Sequence, residues 1–411
     1  MEEDNKDNNT LFRLKCFHAV NLLASTLTMS ARMEAMLSKM TSLQYSEVVS
    51  KDMIYLMISR MLTSPLLSSM SDVFGRESVI RTILTFQVLQ NVVQTASPTI
   101  GIMQCVSRLG FLTMGPYIQM ASTSVADIFV MDPKRTAIEQ GKLGLSFVMS
   151  SFCVPTLVRM LFPIDVRLPF LVSALIHFSE LIIRFVPHLS VETLPIKDRK
   201  DLADINLFDW NPFQFLKLFT TGKKLCALAI METMQMIING PSFGRIASVV
   251  RIETYGKNAW NLSQRSWFQT CLSVAMVPGV LLSGNVYRAC GPRVCVYFCN
   301  LFECVRQFSL QFLTRPWQEF MAVPFVIVRN PSNTAVQASI RIEAKKQGLS
   351  NSELQGAMTN LTQMVIMTSG VLLNQLLRVG MRRKNPRLIY RYLSLMPAVN
   401  ALIFYHFVDN A

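Results

Sequence analysis

The stretch LSSMSDVFGRE, residues 67 to 77, sets Asp72 and Arg76 four positions apart around Gly75, between two long apolar runs at 52–71 and 78–97. A glycine lets the chain reverse between helices without Cβ strain, so Gly75 marks a tight helix-to-helix turn that carries an acid and a base. On spacing alone, a solvated hairpin with an incidental ion pair, worth under about 1 kcal/mol, accounts for the pair as well as a functional contact does. The rest of the chain has to separate those readings.

The chain has 411 residues, 51% hydrophobic and 16% charged, with a mean hydropathy of +0.32. A soluble domain carries about 25% charged residues, and a soluble all-helical chain of this length would need a charged surface that is missing here. Lipid is the expected solvent. The net charge of +14 raises nucleic acid as a partner, but no basic run is interleaved with aromatic residues. Charge flanking membrane segments is the simpler account. The 9 cysteines are scattered, mostly within apolar runs. Cys290, Cys295, Cys299 and Cys304 lack CxxC pairs and a nearby histidine, so neither a disulfide framework nor a metal site is expected. The opening MEEDNKDNNT is acidic, unlike a cleaved secretory leader, which makes the following stretch a retained first helix.

A bilayer core of about 30 Å is crossed by about 20 apolar residues of helix, and about twelve such runs can be counted. They lie near 12–33, 52–71, 78–97, 100–124, 140–161, 168–187, 222–243, 265–287, 293–313, 317–340, 354–377 and 388–408. The expected fold is therefore all-α and polytopic. Residues 1–187 form one six-helix half, 188–221 a cytoplasmic linker, and 222–411 a second half. The end of the linker, FDWNPFQFLKLF, reads either as an amphipathic interfacial turn or as an ordinary loop. The halves echo each other. LSSMSDVFGR at 67–76 aligns with LSGNVYRACGPR at 282–293, with Gly75 and Gly291 lying 216 positions apart. Gln140-Gly141 and Gln355-Gly356 recur at an offset of 215. Two landmarks in the same order at a common spacing argue for duplicated, pseudo-symmetric halves.

SPLLSSMSDVFGRESVIR resembles the G-x-L-a-D-r-x-G-r-k loop of the major facilitator superfamily, with Asp72, Gly75 and Arg76 in register. TSVADIFVMDPKRTAIEQGKLGLSF and AKKQGLSNSELQGAMTNLTQMV are similar to its tetracycline-exporter-like and hippocampus-abundant-transcript-like branch. The resemblance implies twelve helices and a cytoplasmic gate that holds the halves together in one state. Carried over, the gate comprises Asp72, Gly75, Arg76, Asp127, Arg135 and Gly356. Asp72 would meet the start of the eleventh helix, and Arg135 would join Asp72 or Asp127. An anion at a helix N-terminus gains roughly 0.3–1 kcal/mol, and a gate needs contacts that form in one state and break in the other. The chain departs from the pattern at Ser68, at Glu77 where a base is usual, and at Arg288 where an acid would stand. In the fifth helix, SFCVPTLVRM keeps only Pro155 of a Gly-Pro…Gly-Gly pattern.

The resemblance also implies that helices one, four, seven and ten line a transport pathway. Their polar residues are His18 and Asn21; Arg108 and Gln119; Glu232, Gln235 and Asn239; and Arg329, Asn333 and Gln337. Charged groups in hydrocarbon are costly, so each is either a functional group or half of a structural ion pair. Arg108 and Glu232 stand out as contacts for substrate or proton, with His18 third; Arg108 suits an anionic group, and a buried Glu232 can exchange a proton. Glu303 and Arg306, at i and i+3, are placed to pair with each other.

With the N-terminus inside, the bias of Lys and Arg toward cytoplasmic loops is weak. RVGMRRKNPRLIYR, residues 378–391, puts six basic residues on the outer side. Asn261-Leu-Ser falls in an outer loop as a glycosylation sequon.

The expected function is secondary active transport of a small solute by alternating access, coupled to protons. The alternatives are a facilitative metabolite uniporter and a transporter-like scaffold or receptor that carries nothing. No GxxxxGK[ST] loop is present for ATP drive, and no HExxH motif or paired carboxylates suggest an enzyme. Expected partners are a small-molecule solute, a proton and the lipid bilayer, with no cofactor, catalytic residue, metal or nucleic acid. The protein is expected as a monomer, multi-pass in the plasma membrane or an organelle membrane.

Overall fold

The computed structural model describes all residues except 1, 111–113, 130–132, 200, 202–212, 350 and 410–411. Among the described residues, the apolar runs fall mostly on helix. The first part of the chain forms α1 (Glu2–Lys39), α2 (Ser42–Phe74), α3 (Arg76–Ala96), α4 (Ile100–Arg108), α5 (Met114–Ile128), α6 (Pro133–Leu161) and α7 (Leu168–Phe185). After a short α8 (Lys217–Thr220) come α9 (Lys223–Asn239), α10 (Pro241–Tyr255), α11 (Leu262–Leu310), α12 (Gln318–Met321), α13 (Arg329–Lys346), α14 (Asn351–Arg382) and α15 (Leu388–Phe404). The described residues contain no strand.

The chain separates into two compact units. One holds residues 1–40 and 58–210, the other 41–57 and 211–411, with the boundary passing through α2. In the first, Leu67, Ile80, Ile83, Leu84, Tyr117 and Met120 form a core across α2, α3 and α5. In the second, Trp260, Phe268 and Phe320 pack edge to face.

What α7 hides and shows settles its solvent. It exposes Leu171, Leu175, Phe178 and Ile182, at spacings of four, three and four, while Ser173, His177, Glu180 and Arg184 are buried. A helix facing water does the reverse, because burying charge and wetting leucine both cost free energy. In α15, likewise, Leu395 and Leu402 are exposed and Ser394 and Asn400 buried. Among the described residues, five segments are long and apolar enough to cross a membrane: Leu143–Leu161, Leu168–Phe185, Leu262–Leu310, Gly356–Arg382 and Leu388–Val408.

Small backbone devices interrupt the helices. Gly75 separates α2 from α3 with φ 90° and ψ 155°. Gly291 breaks α11 with φ 75° and ψ 170°, ahead of Pro292. These two glycines, matched in sequence, thus share one left-handed conformation that an L side chain rarely adopts. The seventh run is divided at Gly240, where Pro241 opens α10 at a position that needs no N–H. A second pair of turns recurs: the Arg167 N–H donates to Asp165 Oδ1 at 2.8 Å before α7, and the Arg387 N–H to Asn385 Oδ1 at 3.2 Å before α15. Leu168 and Leu388 then donate their N–H groups to the carbonyls of Asp165 and Asn385 at 3.1 and 3.2 Å.

Candidate functional site

The α2–α3 turn gathers four of the sequence-derived gate residues. Arg76 is buried, and its Nη1 donates to Asp72 Oδ1 at 2.6 Å while its Nε donates to Asp127 Oδ2 at 2.9 Å. One guanidinium therefore joins α2, α3 and α5, a use of its fork that a lysine would not reproduce. Arg135 lies on α6, but its side chain is outside the described residues, as are those of Gln140, Gly141 and Gln355. Gly356 lies on α14, in the other unit.

A neighbour of this turn went unnoticed in the sequence. The segment after α7 folds back so that Glu192 accepts the backbone N–H groups of Arg76 and Glu77, at 3.1 and 3.3 Å, at the start of α3. Arg199 pairs with Glu192 at 3.2 Å and donates to the Phe74 carbonyl at 3.3 Å. Thr193 donates to Asp127 at 3.1 Å. A Cβ at position 75 would stand 2.3 Å from Glu192 Oε2 and 2.6 Å from Arg199 Nη2, so Gly75 is required for closeness as well as for its φ. Nothing local announced this. Glu192 and Arg199 are ordinary charges in a polar interval, brought in by tertiary packing.

Deeper in the same unit lies a polar network. Arg184 is wholly buried and pairs with Glu77 at 2.7 Å and with Glu180 at 3.0 Å. Tyr117 donates to Glu180 at 2.7 Å and accepts from Arg184 at 3.0 Å. Asn21 donates to Gln87 at 2.8 Å and, more weakly, to Glu180 at 3.4 Å. Among the pathway candidates, Asn21 thus belongs to this network, and His18 lies buried beside it, its ring stacked on Tyr117 with centroids 6.0 Å apart. Gln119 is half-buried on α5, whereas Arg108 is the exposed last residue of α4. Glu180 and Arg184, one turn apart on an apolar helix, were the available signal for the network. Glu77 read only as a departure from a motif, although its burial beside Arg184 gives it a structural partner.

In the second unit α9 and α13 run antiparallel, joined by three rungs. Gln337 Nε2 donates to Glu232 Oε1 at 3.1 Å, Gln235 Nε2 donates to Ser332 Oγ at 2.9 Å, and Arg329 donates to the Asn239 carbonyl. Glu232, Gln235 and Asn239 share one face of α9 at i, i+3 and i+7. Arg329, Asn333, Gln337 and Arg341 share one face of α13 at steps of four. Several acceptors here lack partners among the described residues: Glu232 Oε2, Gln235 Oε1, Asn239 Oδ1 and Asn333 Oδ1. Glu232, 3% exposed, lines a cavity of about 170 Å³ together with Met236, Gln337, Ile340, Arg341 and residues of α14. Glu303 and Arg306 pair with each other, as their spacing predicts. A further buried cluster, absent from the sequence reading, centres on Glu319, which holds Arg251 at 3.0 Å, Arg387 at 3.1 Å and the Tyr255 hydroxyl at 3.1 Å.

No protein-family profile matches the chain, and no curated protein matches it in sequence. Solved structures do match in shape. The human organic anion transporter MFSD10 (TETRAN) superposes with a TM-score of 0.70 at 13% identity, over 97% of this chain and 99% of that one. The nucleoside transporter NupG gives 0.69 at 13% identity, over 97% and 99%. A POT family transporter in complex with 5-aminolevulinic acid gives 0.70 at 10% identity, over 97% and 96%. Such coverage shows the fold alone: the all-α architecture that these solved structures share.

Proposed function

We propose that the chain is a secondary transporter that moves a small solute across a membrane by alternating access, with protons as the coupling ion. The observation that carries the proposal is the pairing of a transporter fold along almost the whole chain with helices that turn apolar residues outward and carboxylates inward. In this reading 1–187 and 222–411 are the two rocking halves and 188–221 joins them. The Asp72–Arg76–Asp127 cluster, with Gly75, Arg135 and Gly356, forms the cytoplasmic gate. His18, Asn21, Arg108, Gln119, Glu232, Gln235, Asn239, Arg329 and Asn333 line the path. Glu232 is the proton carrier, because it is buried and keeps one oxygen unengaged. The protein acts as a monomer in the plasma membrane or an organelle membrane, and the solute binds without a cofactor.

The test is uptake into proteoliposomes over a solute panel, with and without an imposed proton gradient. Flux that responds to the gradient, and loses that response in Glu232→Gln, supports the reading. Flux indifferent to pH makes the protein a facilitative uniporter. A panel that produces neither flux nor binding favours a scaffold or receptor.

A further inference from the structure

The cavity in the second unit is lined by one acidic and one basic side chain. Glu232 supplies a carboxylate from α9, with Oε1 taken by Gln337 and Oε2 bare among the described residues. Arg341, which also lines the cavity, stands one helical turn beyond Gln337 on the same face of α13. That spacing separates their Cβ atoms by about 5–6 Å. The rest of the lining is Met236, Ile340, Leu354 and Met358, with Thr359 and Thr362 on α14. The Thr362 hydroxyl donates to the Met358 carbonyl at 2.8 Å, which leaves its oxygen free to accept.

A buried carboxylate with an unengaged oxygen calls for a donor, and a cationic donor gives the shorter and stronger bond. A simple cation, however, would also meet the guanidinium in the lining and be repelled. An anion would meet Glu232. A solute with both charges satisfies both groups and leaves the cavity neutral. Size limits it further: about 170 Å³ is close to the roughly 150 Å³ that accepts a benzene molecule, so the solute has on the order of six to eight heavy atoms.

We propose that this cavity binds a small zwitterionic amino acid, with its ammonium group on Glu232 and its carboxylate on Arg341. The proposal rests on the transport reading only for its physiological meaning, since binding is measured without flux. The ammonium and a coupling proton would occupy the same carboxylate in turn, which would link solute binding to proton release.

Thermal unfolding of the purified full chain in detergent tests it, with glycine, β-alanine and γ-aminobutyrate as probes. Propylamine and propionate serve as single-charge controls. At least one zwitterion should raise the unfolding midpoint and neither control should, with binding weakened roughly tenfold or more in Glu232→Gln and in Arg341→Ala. Arg341 is exposed, so its variant reads the site even where Glu232→Gln misfolds. The proposal is overturned by an equal shift with propylamine, by a shift that survives Arg341→Ala, or by no shift with all three probes. Binding of β-alanine by a chain that transports nothing would sink the transport reading and leave the site standing.

Discussion

Two glycines show how far one atom matters. At Gly75 a methyl group meets both a left-handed backbone and the Glu192–Arg199 pair; at Gly291 it meets only the backbone, with no atom within 4 Å. Gly291→Ala should therefore lower stability by about 1–3 kcal/mol, the conformational cost alone. Gly75→Ala should lower it by more, as read from thermal unfolding midpoints in one detergent. Burial sets a larger scale at Glu180. Removing one partner of a buried pair leaves a charge uncompensated, so Glu180→Ala should cost about 3–5 kcal/mol. Glu180→Gln should cost less, because it still accepts from Tyr117. The comparison is made by unfolding midpoint and by the monodispersity of the purified variants.

Among the elements, α3 depends on a segment far from it in sequence. Glu192 accepts two N–H groups at the helix start, as a cap does, and its charge sits at the positive end of the helix dipole. Glu192→Ala should destabilise the protein by about 1–2 kcal/mol, and Gly75→Ala should cost less in that background than alone, a coupling that a double-mutant cycle measures. The helices themselves were legible because a bilayer imposes a minimum apolar length, and the described residues of those runs are mostly helical. Their interruptions were harder to see. Gly75 and Gly291 were visible as glycines at a shared spacing, whereas the break at Gly240-Pro241 sits inside one apolar run and hydropathy averages over it. The partners of the candidate residues were hardest. Asp72 and Arg76 announce each other at i, i+4, while Asp127, Glu192 and Glu319 find their arginines only through the fold.

For the whole molecule, the transport reading makes the α2–α3 cluster a moving part. Arg76→Ala should lower maximal flux several-fold while changing the half-saturating solute concentration little, because Arg76 bonds to Ser71, Asp72 and Asp127 rather than to the pathway candidates; an effect confined to solute affinity would argue against a gate. The overall architecture could be anticipated from composition and repetition, and its candidate residues only in part, since depth and pairing are three-dimensional properties. One contrast between the repeats reaches further. The buried ion network of the first unit grips α7 at its last turn, through Arg184, whereas that of the second grips α15 just before its first turn, through Arg387. Corresponding helices are thus anchored at opposite ends, and they should fray with opposite polarity. Amide hydrogens in the last turn of α7 should exchange more slowly than those in the last turn of α15, and the ranking should reverse for their first turns. The two helices open on like turns, and charge made each one loose where the other is fast.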